Sequence, residues 1–139
     1  MAREAYFSLS TPTDFILSIE LDGISVQYLN VTEICQGGPQ VGTLCINNKL
    51  IPEVKFGGPF IIANKVIYVP MQWINGWGSI GFRLAIIDTI DLKVYVTRGK
   101  SAPLIFLDRI EGNEAFYYRD MEKKHLDSYD LSRLIDLTI

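Results

Sequence analysis

Between Phe56 and Lys100 four short apolar runs follow one another: Phe60–Ala63, Val66–Met71, Phe82–Asp88 and Lys93–Arg98. Each is bounded by turn-forming residues, and runs of this length and spacing predict antiparallel strands. The second and third runs are separated by Gln72–Gly81, ten residues holding three glycines and the indoles of Trp73 and Trp77. A connection that long inside a compact domain invites a functional reading.

The flanking sequence extends the same pattern. Phe15–Leu21 and Ile24–Val31 enclose Asp22-Gly23, a two-residue signal for a hairpin turn with positive φ. Along Phe15–Leu21 the odd positions are apolar while Ser18 and Glu20 are polar, so alternate side chains are expected inside and outside. Val41–Ile46 and Leu50–Val54 form a second pair around Asn47-Asn48-Lys49, and Pro52, with no amide hydrogen, places its strand at an edge or a bulge. Gly37-Gly38-Pro39 and Gly57-Gly58-Pro59 each precede a strand that ends in Asn-Lys, an echo best read as reuse of turn chemistry. Leu104–Ile110 and Ala115–Arg119 make a further hairpin across Glu111–Glu114. In the tail, Asp127 or Ser128 reads as the cap of a short helix, with Leu131, Leu134 and Ile135 recurring at helical spacing. The expected fold is all-β: an antiparallel sandwich or irregular barrel of about ten strands with one short C-terminal helix.

The chain of 139 residues reads as a single domain, with 1–13 an N-terminal segment and 120–139 an acidic tail. A hydrophobic content of 48% and a mean hydropathy of +0.17 supply one core without a disulfide or metal staple. No apolar run approaches the roughly 18 residues of a membrane span. Glu4 and Asp14 break any secretory pattern at the start, so a bacterial, cytoplasmic location is expected, with Cys35 and Cys45 as free thiols.

The net charge of −3 is unevenly placed. Residues 1–107 carry eight acids and eight bases, whereas 108–139 carry eight acids and five bases. From Glu53 to Asp88 no acid intervenes, only Lys55, Lys65 and Arg83. A neutral-to-basic sheet followed by an acidic region argues against nucleic acid as partner, because phosphate contacts need clustered bases.

Chemistry-bearing residues are sparse. His125 is the single histidine, and Lys123, Lys124 and Asp127 beside it mark a polar surface segment. With two cysteines and one histidine no metal centre is expected, nor any cofactor. Asp88 and Asp91 read as turn formers, since Asp bonds its own backbone in turns. The glycine pairs lack the Lys-Ser/Thr step and the helix start of a phosphate loop. The candidate binding residues are Trp73, Trp77 and Tyr68, together with Tyr118, Asp120 and Glu122. Exposed Trp and Tyr anchor binding surfaces. A Trp beside apolar strand residues also plugs the end of a core, and at least one of the two indoles is expected to do so.

The function expected from these features is non-catalytic protein binding. Its sharper form is an immunity or antitoxin-type inhibitor that covers a basic toxin by steric and electrostatic blocking. The alternative is a small-ligand or carbohydrate-binding β-domain using the Trp73/Trp77 loop.

Overall fold

The computed structural model describes residues 11–21, 23–34, 38–74, 78 and 80–137. Twelve strands run through them: β1 (Ser18–Leu21), β2 (Ile24–Glu33), β3 (Gln40–Ile46), β4 (Lys49–Phe56), β5 (Ile61–Ala63), β6 (Val66–Ile74), β7 (Ile80–Asp88), β8 (Val94–Thr97), β9 (Phe106–Glu111), β10 (Glu114–Tyr118), β11 (Leu126–Asp130) and β12 (Leu134–Leu137). They form two antiparallel sheets. One has nine strands in the order β1-β2-β3-β4-β6-β7-β8-β12 with β5 alongside β6, and the other is β11-β10-β9. The chain is all-β, and no helix among the described residues is long and apolar enough to cross a membrane.

Turn chemistry sets the registers. Leu21 pairs with Ile24 across a connection in which Gly23 has φ 77°; Asp22 lies outside the described residues. Asn47 and Asn48 both take positive φ between the paired Ile46 and Lys49, so this connection is two residues long and Lys49 already belongs to β4. Asn64 and Lys65 repeat that geometry between Ala63 and Val66.

Pro52 falls in a break of register: β3 moves from Gly42 to Leu44 while β4 moves from Phe56 to Ile51, and Glu53 has φ 72°. Beyond it β4 meets β6 only at Phe56 and Met71. Pro70 explains why a proline is tolerated inside β6. A strand residue points its N–H and C=O to the same side. Since the Pro70 carbonyl takes the Gly57 N–H, the missing amide faces the gap where β4 gives way to β5.

Two apolar cores lie on opposite faces of the central strands. Ile67, Val69, Met71, Ala85, Ile87, Val94 and Val96 join residues of β2, β3 and β4 in the first core, against which Ile19 and Leu21 of β1 and Ile135 and Leu137 of β12 also pack. The nine-stranded sheet therefore bends until both its edge strands reach one cluster. Phe82, Leu84 and Ile86, on the other face of β7, meet Ala115, Tyr117 and Tyr129 of the small sheet in the second core.

The expected C-terminal helix is absent. Asp127 and Ser128 lie inside β11, Ser132 donates its backbone N–H to Asp130 Oδ1 at 2.8 Å in the turn, and Leu134–Leu137 pair with β8. A short isolated helix is marginal in water. The open ladder of β8 offers the same residues backbone partners and two cores: Leu134 faces the second core, Ile135 and Leu137 the first. On β1 the expected alternation holds for Ser18 and Glu20, which are exposed, and for the largely covered Ile19 and Leu21; Leu17, before the strand, is exposed.

Candidate functional site

Trp73 belongs to a strand rather than a loop. The β6–β7 ladder runs without interruption from Val66↔Asp88 to Ile74↔Ile80, so the ten-residue connection expected from sequence shrinks to residues 75–79. Trp77 lies outside the described residues. Trp73 is half-buried and packs against the first core. The Arg83 guanidinium lies over its ring, 4.5 Å from the centroid.

Beside this indole is a cavity of about 530 Å³ lined by Glu53, Val54, Lys55, Met71, Gln72, Trp73, Ile74 and Leu137. Three separated segments build it. The register break in β4 brings Glu53, Val54 and Lys55 to the rim. β6 supplies Met71 to Ile74, and β12 contributes Leu137. Val54, Met71, Trp73, Ile74 and Leu137 supply its apolar lining, and Glu53, Lys55 and Gln72 its polar lining. Lys55 Nζ lies 3.3 Å from Thr43 Oγ1, to which it donates. Ile74, which lines the cavity, and its cross-strand partner Ile80 stay 61% and 48% exposed.

Tyr68 does not reach this place. It pairs with Ile86 and faces the second core, whereas Trp73 faces the first; burial pushes the Tyr68 phenol above its ordinary value. Tyr118 is part-buried at the end of β10, between Leu126 and Phe106. Asp120 and Glu122 follow it in the turn towards β11, and none of the three lines the cavity. Asp120 accepts the backbone N–H groups of Lys124 (3.0 Å) and His125 (2.8 Å). Burial pushes its carboxyl up, but these two donors and the imidazole outweigh that and hold it below the usual carboxylate range.

His125 pairs with Asp120 at 3.4 Å rather than with its sequence neighbour Asp127, and its ring is 74% exposed. Asp88 and Asp91 serve the β7–β8 turn, accepting the N–H groups of Ile90 and Lys93. Cys45 is a buried free thiol in β3, and Cys35 lies outside the described residues. Among the described residues, no three His, Cys, Asp or Glu side chains gather as metal ligands. Among the described residues that line the cavity, none carries a hydroxyl or thiol.

Of the residues singled out from the sequence Trp73 lines this cavity, whereas Glu53, Val54, Lys55 and Leu137 were not among them. The one signal for the first three was Pro52, which marks the irregularity without saying what it surrounds. Comparison with family models, curated proteins and solved structures finds no match for the chain.

Proposed function

We propose that this protein is a non-catalytic binding domain that takes a small ligand into the Trp73 cavity. The observation that carries this reading is the cavity itself, about 530 Å³ and lined by an indole, a thioether and three aliphatic side chains together with Glu53, Lys55 and Gln72. Ligand sites are of this size, mostly apolar, with a few polar groups to fix orientation. A compound with one flat apolar face and hydroxyl or amide groups on its edge suits a lining of this mixed composition, and a sugar ring is such a compound. The test is fluorescence of Trp73 in a Trp77→Phe background, titrated with mono- and disaccharides and with small aromatic amides. A saturable change lost in Gln72→Ala supports the reading; no saturable change with either class overturns it.

The second reading is a protein partner, in its sharper form a basic toxin blocked by covering. What favours it is the exposed pair Ile74 and Ile80 beside the cavity, since apolar residues at the rim of a pocket suit a protein surface. Against its electrostatic form, Asp120, Asp127 and Asp130 of the acidic region bond their own turns. A low-salt pull-down from the native lysate that returned no partner would remove this reading.

A further inference from the structure

The acidic C-terminal region contributes two of its bases to a place where they meet two from the neutral part of the chain. Arg98 and Lys100, in the turn after β8, and Arg119, just past β10, line a groove of about 280 Å³ with Asp127, Ser128 and Asp130 of β11. An adjoining hollow of about 310 Å³ shares Arg98, Gly99 and Asp130 with it and adds Arg133. All four basic side chains are exposed, and among the described residues none of them makes an ion pair.

The framework beneath them is rigid. Tyr117 and Tyr129 stack with ring centroids 4.8 Å apart and planes 13° from parallel. Both rings are buried in the second core and line the groove. Tyr129 donates its hydroxyl to the Lys100 carbonyl at 3.0 Å, which pins the turn carrying Arg98 and Lys100 against β11. Both carboxylates in the groove already accept local bonds. Asp130 Oδ1 takes the Ser132 hydroxyl at 2.6 Å and the Ser132 N–H at 2.8 Å, bonds that hold its carboxyl below the usual range. Asp127 Oδ1 takes the Ser128 N–H. The linings of groove and hollow together carry four cations and two carboxylates, and Glu114, which accepts the Ser128 hydroxyl at 2.8 Å, stands beside them as a third, so the cations remain in excess by one.

We propose that this groove binds a phosphoryl group. A phosphate monoester carries a charge of about −1.5 to −2 at neutral pH, opposite in sign to this excess. Three of the four bases are arginines, whose planar forks suit phosphate oxygens. Ser101 stands at the same groove as a neutral donor, while the Ser128 hydroxyl already donates to Glu114 at 2.8 Å. The site is separate from the Trp73 cavity, with which it shares no lining residue.

The test is an amide-resolved NMR titration of the full chain with inorganic phosphate and with glycerol 3-phosphate, each against sodium chloride at equal ionic strength. Saturable shifts at Gly99, Lys100, Ser101 and Ser128 are expected with either phosphate. A tighter fit for glycerol 3-phosphate would assign the site to an organic monoester, and equal or weaker binding to free phosphate. Arg119→Gln and Arg98→Gln should each weaken binding by roughly tenfold while leaving the melting temperature unchanged. Shifts that chloride reproduces, or unchanged affinity in both variants, would overturn the proposal.

Discussion

The guanidinium of Arg83 lies over the indole of Trp73, 4.5 Å from the ring centroid, and its buried Nε has no hydrogen-bond partner among the described residues. The two side chains sit on neighbouring strands at the Trp73 end of the first core, with Arg83 directly opposite Met71 in register. A cation over an indole gains roughly 0.5–2 kcal/mol. A buried donor without a partner costs about 1–3 kcal/mol. The two effects oppose each other, so Arg83→Met should change stability by no more than about 1 kcal/mol while shifting the Trp73 emission. Trp73→Ala removes a half-buried ring that packs on the core and should cost about 2 kcal/mol, below the ~3–5 of a fully buried Trp. Urea melts of both variants give the comparison.

Gly58 is fixed by a neighbour rather than by its own backbone. A Cβ placed there would lie 2.6–2.9 Å from three atoms of the Phe15 ring, and Phe15 is itself buried. Gly58→Ala should therefore cost about 1–3 kcal/mol through overpacking. Phe15→Leu in the same chain should recover part of that loss. Additive costs in the double-mutant cycle would mean the two positions do not touch.

Tyr28 donates its hydroxyl to the Gly57 carbonyl at 2.6 Å inside the first core. Tyr28→Phe leaves that carbonyl without its donor and should lower stability by about 1–3 kcal/mol at neutral pH. Burial pushes the Tyr28 phenol far above its ordinary value of 10.0. The folded chain thus favours the neutral form. Its contribution is complete below about pH 10 and is lost as pH rises through the folded value. Denaturant melts from pH 8 to 11 should fall more steeply for the parent protein than for Tyr28→Phe.

Removing residues 134–139 tests the strand that replaces the expected helix. Leu134, Ile135 and Leu137 each pack against one of the two cores, and the loss of β12 also bares the ladder of β8. The truncated chain should lose about 2–4 kcal/mol and tend to associate through the uncovered edge. An unchanged melt would mean these residues contribute nothing to folding.

Much of this sheet is legible in the sequence because its apolar runs are separated by Asn, Asp or Gly at turn spacing. The two Asn-initiated turns, Asn47-Asn48 and Asn64-Lys65, take positive φ; Ala63 and Val66 pair across the second as expected, while at the first Lys49 joins β4 rather than the turn. The tail misled because Leu131, Leu134 and Ile135 fit a helical period equally well; what decides the matter is β8, some forty residues earlier in the chain, and its unpaired edge. The Trp73 cavity was half visible. Its indole stands out in any reading, but the partners come from a bulge in β4 and from the end of β12, and nothing local to Leu137 says that it lies near Lys55. The groove of Arg98, Lys100, Arg119 and Arg133 was hidden by arithmetic, because the region that supplies two of these bases is acidic when summed along the chain.

The central strands are covered on both sides, with Val69, Ala85 and Val96 turned to one core and Leu84 and Ile86 to the other. Amide hydrogens there can reach deuterium only when the whole molecule opens, whereas those of Ser18–Leu21 at the opposite margin are freed by local fraying. Exchange rates at Leu84 and Val96 therefore gauge global stability, and those of β1 measure only how loosely the first hairpin is held.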